Sequence, residues 1–164
     1  MSTSVGYNFH PLLRRDLPLI RSWLATPHVA QWWGDAEEQS ALITDDLGHR
    51  AMDQFVVALG GRRFAYLQCY DPTAWPENGL GLLPQGTRGI DQFIGEPDMV
   101  ERGHGSAFIR AFIERLFAAA TPCVVTDPAP TNTRAIRAYE KAGFRKDRLV
   151  DTPGGRAILM VCNA

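Results

Sequence analysis

Three groups of residues in this 164-residue chain have types and spacings that could do chemistry. The first is Gly103-His104-Gly105, which follows Arg102 and opens an amphipathic run through Phe108, Ile109, Phe112, Ile113 and Leu116. Glycines at a helix start let backbone N–H groups converge on an anion at the positive helix end, and Arg102 adds a full charge there. No Walker lysine or dinucleotide fingerprint accompanies the loop, and Glu101 would repel an anion unless it points outward. The second group is acidic. Residues 71–101 hold Asp71, Glu77, Asp91, Glu96, Asp98 and Glu101 against one base, Arg88. The third is basic: Arg134, Arg137, Lys141, Arg145, Lys146, Arg148 and Arg156 face only Glu140, Asp147 and Asp151 over residues 134–156. Bordering one cleft, the two stretches would suit a cation and an anion at opposite ends; otherwise they are solvated faces.

These residues must be positioned by a regular framework. Tyr7–Leu12 reads as a first strand, and Asp16 as the N-cap of a helix carrying Leu17, Ile20, Trp23 and Leu24. Pro27 stops that helix, a short turn carries Val29, Trp32 and Trp33, and Asp35–Leu47 forms an acidic helix ended by Gly48. Phe55–Leu59, Gly60-Gly61 and Phe64–Tyr70 make a hairpin. Residues 71–87 hold Pro72, Pro76, Pro84 and several glycines, a long loop that is functional or mobile. Gly89–Ile94 is a short strand and Cys123–Thr126 a buried one. Thr131 or Asn132 caps a helix that runs to Lys141 and ends at Gly143. Phe144–Val150 and Ala157–Val161 are strands joined through Pro153-Gly154-Gly155. Strands and helices alternate over one mixed sheet, so the class is α/β or α+β, and residues 1–164 make a single domain.

Composition excludes several functions. With 17 Lys+Arg against 18 Asp+Glu, the net charge of −1 gives no footprint for nucleic acid and no polybasic membrane anchor. Apolar runs such as Phe55–Leu59 are too short to span a bilayer, and the polar stretch Met1–Asn8 has no export signal region. Cys69, Cys123 and Cys162 are isolated, without metal-ligand spacing, and read as core residues of a reduced, cytoplasmic protein. No metal is expected. The chain is expected to be a monomer or a homodimer.

The run Asn132-Thr-Arg-Ala135-Ile-Arg-Ala-Tyr139-Glu-Lys141-Ala-Gly143-Phe144 resembles motif B of the Gcn5-related N-acetyltransferases (GNAT), with the Gly103 loop as motif A some thirty residues upstream. Val29-Ala-Gln-Trp32-Trp33-Gly34, Arg88-Gly-Ile-Asp91-Gln92, Thr126-Asp127-Pro128 and Thr152-Pro153-Gly154-Gly155 resemble, in order and spacing, the aminoglycoside 6'-N-acetyltransferase branch. The resemblance spans essentially the whole chain. It implies a GNAT fold, a central mixed and mostly antiparallel sheet flanked by helices, with acetyl-CoA as cosubstrate and direct transfer to a bound amine. By the same resemblance the pyrophosphate lies on the amides of Arg102, Gly103, His104, Gly105 and Ser106. The pantetheine arm then runs beside Gln92, Phe93 and Ile94, with Asn132, Ala135 and Tyr139 on its other side.

Within that frame Asp91 is the candidate to hold the acceptor ammonium and take its proton, and Tyr139 the candidate to protonate the departing thiolate. A backbone N–H near Phe93 or Ile94 would serve the oxyanion. Asp127 is a second anchor for a polycation, and one of Trp32 and Trp33 is expected in the core with the other lining the acceptor site. Plainer readings stand beside these: Tyr139 as a core tyrosine, Asp91 as a partner of Arg88, Asp127 as an Asx turn, His104 as a solvent-facing loop residue. The segment 73–84 is mostly apolar, where the resistance enzymes are rich in Asp and Glu. That keeps other acceptors open, namely a siderophore hydroxylamine, a polyamine or a protein N-terminus, as well as a non-catalytic acyl-CoA-binding module.

Overall fold

The computed structural model describes residues 6–164; the first five residues of the polar Met1–Asn8 stretch lie outside them. The strands, β1 (Tyr7–Pro11), β2 (Met52–Leu59), β3 (Arg62–Tyr70), β4 (Arg88–Ile94), β5 (Cys123–Thr126), β6 (Arg145–Thr152) and β7 (Gly155–Asn163), form one sheet in the order β1-β2-β3-β4-β5-β7-β6. The helices are α1 (Leu17–Leu24), α2 (Pro27–Trp33), α3 (Ala36–Asp45), α4 (His104–Ala118) and α5 (Thr133–Ala142). The α/β class and the mixed sheet expected from the sequence are both present. The chain divides into two compact units, one made of the residues up to Gln68 with Gln92–Arg102, the other of Cys69–Asp91 with Gly103–Ala164. Strands β3 and β4 each supply residues to both.

In the first unit β1 runs antiparallel to β2 with Tyr7 opposite Leu59 and Pro11 opposite Phe55. Gly60 and Gly61 take φ of +57° and +81°, the two positive values that a tight hairpin turn matched to strand twist requires. Ile20, Trp23 and Leu24 share one face of α1 and are buried with Val56, Tyr66 and Phe93. Asp16 precedes α1 as expected, but its carboxylate does not cap that helix. It accepts instead from the Leu13 N–H at 2.9 Å and from Arg63 at 3.0 Å, so it closes the preceding turn and ties it to β3. Pro27 both separates α1 from α2 and occupies the first helical position of α2, where its missing N–H does no harm. Asp35 caps α3 by accepting the Glu38 N–H at 3.1 Å.

In the second unit β4 is parallel to β5, with Arg88 opposite Val124 and Gly89 opposite Val125. β7 is antiparallel to both β5 and β6, and β6 is irregular between Lys146 and Arg148. Asn132 caps α5 through its side-chain oxygen, which accepts the Ala135 N–H at 3.2 Å, and Gly143 ends it at φ +113°. Cys69, Cys123 and Cys162 are buried, and none forms a disulfide.

Residues 71–87 are tied to the rest of their unit at several points. Asp71 caps a short turn by accepting from the Thr73 N–H at 3.0 Å, and the Asn78 side chain bonds the Pro72 carbonyl and the Leu80 N–H. Leu80 is buried among Cys123, Val125, Val150 and Leu159. The Leu80 carbonyl accepts from Arg148 at 2.6 Å, and Gly79 lies so close to β6 that a Cβ would sit 2.0 Å from the Asp151 carbonyl oxygen.

Candidate functional site

The end of the short β4/β5 ladder is where the acids collect. Parallel pairing covers Arg88–Gly89 and Val124–Val125, and β5 ends at Thr126. Two more rows of the same register put Asp91 opposite Asp127, on the strand face shared by Gly89 and Val125. The Thr126 hydroxyl donates to the Ile90 carbonyl at 3.0 Å and holds that register just beyond the last ladder row.

Two carboxylates so placed cannot both ionise without strong mutual repulsion. Burial, reinforced by the Asp91 charge, pushes the Asp127 carboxyl up to about 8. Asp127 is therefore held toward its protonated form near neutral pH.

Tyr70, absent from the residues singled out by sequence, stands beside this pair. A Cβ on Gly89 would fall 2.4 Å from the Tyr70 ring, so β4 needs glycine there to admit the phenol. Burial first, then the charges of Asp91 and Asp127, hold the Tyr70 hydroxyl well above the usual tyrosine range, as a proton donor throughout the physiological range. Trp75 meets its ring edge-on at 5.8 Å. The signal for Tyr70 was a glycine inside a strand pattern, read there only as a strand end. Trp75 also lines a hollow of about 340 Å³ with Ala74, Pro76, Glu77, Asn78 and Pro153.

Tyr139 is on the buried face of α5, 4% exposed, with Phe144 edge-on at 5.5 Å. Its charge also acts on Tyr70, so Asp91, Asp127, Tyr70 and Tyr139 belong to one electrostatic group. The core reading of Tyr139 and its chemical reading are thus compatible. Arg88 directs its guanidinium to Cys69, donating to the carbonyl and to Sγ, each at 3.4 Å. Of the basic stretch, Arg148 and Arg156 pair with Asp147 and Asp151 on β6, and Arg145 lies 3.9 Å from Asp147. All three of those bases are exposed, as the plainer reading expected, and Arg148 also reaches the Leu80 carbonyl.

The glycine loop has the geometry of an anion cradle. Gly103 is the N-cap of α4 at φ +80° with no side chain to bond the first turn, and Glu101 is also left-handed, at φ +62°. The amides at the start of this fifteen-residue helix have no acceptors within it, and Arg102 is exposed. Ser106 turns its hydroxyl back to the Gly103 carbonyl at 3.3 Å. His104 is half-buried in the first turn, not fully solvent-facing. Glu101 is exposed, which resolves the discord it posed for an anion. The residues present therefore suit a phosphate-bearing cosubstrate.

In the other unit Trp33 packs edge-on against Phe93 at 5.1 Å and against Tyr66 at 6.3 Å, whereas Trp32 is 39% exposed. The Phe93 side chain is core, so what it can offer a ligand is backbone. Gln92 and Ile94 are half-buried. The Ile94 carbonyl accepts from His28 Nε2 at 2.8 Å, a contact with no sequence signal. Asn132 and Ala135 are joined by the α5 cap, which commits the Asn132 oxygen and leaves its NH₂ group to donate.

Comparison with known proteins follows this geometry. A family model described as an acetyltransferase (GNAT) domain matches residues 13–152. An aminoglycoside N(6')-acetyltransferase type 1 of Klebsiella pneumoniae is 32% identical over 163 residues, covering 92% of this chain and 79% of that protein. A kanamycin resistance protein of Rhizobium radiobacter is 46% identical over 77 residues, covering 46% of this chain and 71% of the relative. Among solved structures, AAC(6')-Ib in complex with paromomycin and acetyl-CoA superposes with a TM-score of 0.87 at 30% identity, covering 96% of this chain and 93% of the other.

Proposed function

Because the chain belongs to the GNAT acetyltransferases, we propose that it moves the acetyl group of acetyl-CoA onto the 6'-amine of an aminoglycoside by direct attack. The observation that carries this reading is the pairing of Asp91 with the buried Asp127 at the end of the β4/β5 ladder, an arrangement that would suit a polycation. The similarity to enzymes named for that amine, one of them solved with kanamycin and coenzyme A, supports it.

In this reading Asp91 binds the ammonium and accepts its proton, directly or through one water, so that the amine lone pair can attack the thioester carbonyl. The N–C bond forms and the C–S bond breaks. Tyr139 protonates the sulfur as it leaves, and Tyr70 helps keep Asp91 oriented. The amides of Arg102 to Ser106 take the pyrophosphate, with Gly103, His104 and Gly105 between them. Gln92, Phe93 and Ile94 offer backbone to the pantetheine arm, while Asn132 and Ala135 flank it. Trp32 and Trp33 belong to the acceptor side. The alternation of β4 selects among the oxyanion donors. The Gly95 N–H bonds the Phe64 carbonyl of β3, so the Phe93 N–H shares that edge and the Ile94 N–H faces the opposite one. Ile94 is therefore the proposed donor.

The pinned, largely apolar 71–87 segment favours a second reading, an acceptor with fewer ammonium groups such as a polyamine. Asp71 is spent as a cap, which leaves Glu77 as the segment's exposed acid. A monomer or a homodimer would suit either acceptor. The proposed setting is the reducing cytoplasm, which the three cysteines without disulfides support; among the described residues no helix is long and apolar enough to cross a membrane.

The test is free-thiol release from acetyl-CoA against a panel of aminoglycosides, polyamines, hydroxylamines and peptide N-termini. Turnover with kanamycin-like compounds is expected, and its absence across the aminoglycosides would overturn the acceptor assignment. Asp91→Asn should lower kcat/KM by about 100-fold with acetyl-CoA affinity unchanged. A module that only binds acyl-CoA would be indifferent to that change.

A further inference from the structure

The bond from His28 to Ile94 links the first turn of α2, the helix that also carries Trp32 and Trp33, to the edge of the strand proposed to carry the thioester. His28 lies in the first turn of α2, one residue after Pro27, which fixes the helix start and so the direction of the imidazole. A carbonyl oxygen can only accept, so Nε2 carries the hydrogen of this contact.

Two facts show which edge of β4 is involved. The Gly95 N–H donates to the Phe64 carbonyl at 2.7 Å, so the peptide group at Gly95 faces β3. The Ile94 carbonyl, one residue back, must then face the other way. That other edge is paired with β5 only at Arg88 and Gly89. Past the ladder a backbone carbonyl needs another partner, and at Ile94 the partner is His28. The peptide plane between Ile94 and Gly95 is held on both sides, by His28 on its oxygen and by Phe64 on its N–H. On the glycine side, the Trp23 indole fills the space a Cβ would occupy at Gly95, at 2.1 Å from its ideal position.

We propose that His28 is a positioning residue for the acetyl-CoA site. By holding the Ile94 carbonyl it fixes the outward edge of β4, so the backbone just before it meets an extended amide-bearing arm in one orientation. His28 touches neither cosubstrate nor acceptor; it acts through the Ile94 peptide. The inference rests on the acetyl-CoA reading above.

Gln and Asn separate this role from simple packing. The amide nitrogen of glutamine sits about where Nε2 of histidine does, and that of asparagine about where Nδ1 does. His28→Gln keeps a donor in reach of the Ile94 oxygen, and His28→Asn does not. Coenzyme A affinity is measured by calorimetry without acceptor, then the KM for acetyl-CoA and kcat at saturating amine. For His28→Asn a five- to tenfold loss of coenzyme A affinity and a matching rise in the KM for acetyl-CoA are expected, the size of one lost hydrogen bond, with kcat within about twofold. His28→Gln should stay within about twofold of wild type in both. Equal binding by the two variants, or a fall in kcat with unchanged KM, overturns the inference while leaving the acetyltransferase reading intact. A wild-type protein that does not bind coenzyme A overturns both.

Discussion

Tyr139 occupies a position where packing and chemistry make different demands on one side chain. Its ring is buried and meets Phe144 edge-on, and a phenylalanine would keep that contact. The proposed proton donor is the hydroxyl alone, so Tyr139→Phe isolates it. The expected outcome is a fall in kcat of about 100-fold with acetyl-CoA affinity nearly intact, checked by steady-state kinetics beside calorimetry. A large loss of affinity with kcat unchanged would contradict the general-acid role. Tyr70 differs, because its neighbours keep the phenol protonated and Gly89 exists to make room for it. At this scale motifs in the sequence singled out Asp91, Asp127 and Tyr139, and the structure brings these three into one electrostatic group. The sequence was silent where a residue matters through a contact with another part of the chain, as with Tyr70 and His28. No local pattern encodes which ring will lie against which glycine.

At the scale of elements, legibility followed the locality of the interactions. The α5 helix was readable from both ends because its cap, Asn132, and its terminator, Gly143, act within four residues of what they cap. Asp16 was read as a cap by the same logic. It was recruited instead by Leu13 and Arg63, the latter 47 residues away, a competition that sequence spacing does not reveal. The 71–87 segment is the extreme case. Its Pro and Gly content signals a loop, but the bonds that pin it run to β6, which lies some seventy residues downstream. Gly79 tests that anchoring. Gly79→Ala adds a methyl 2.0 Å from the Asp151 carbonyl oxygen, whereas Gly48→Ala, at nearly the same φ of +81°, meets nothing within 4 Å. Strain at φ > 0 is common to both, at about 1 kcal/mol. The contact should add about 2 kcal/mol at Gly79 alone, lowering Tm by some 4–8 °C more than Gly48→Ala. Equal shifts in a melting experiment would show that the segment is not held at β6.

For the whole molecule, the net charge of −1 hides a pH dependence that arises in one place. The Asp127 carboxyl, raised to about 8 by burial and by Asp91, binds a proton in the folded state that it has lost in the unfolded state over the interval from about 4 to 8. The folded form therefore loses stability from this group as pH rises through that interval, and the loss is absent below it. Asp127→Asn should remove this slope and raise Tm at pH 8 while changing it little at pH 4, as read from melting curves across the range. An unchanged slope would mean that Asp127 is ionised in the folded protein. By the same linkage, a cationic acceptor should release close to one proton per molecule bound near neutrality, measurable by calorimetry in buffers of different ionisation enthalpy.

The anchored 71–87 segment carries an evolutionary consequence. Its fixed points, Leu80 in the core, Gly79 against β6, Asn78 bracing the turn, Thr73 on Asp71 and Trp75 on Tyr70, leave Ala74, Pro76 and Glu77 as exposed side chains that bear little of the fold. Replacements there can be sampled without risking the framework, so the range of acceptors can drift in small steps while the machinery for acetyl transfer stays under strict selection. A lineage exposed to a new amine would be expected to adapt first in those three positions.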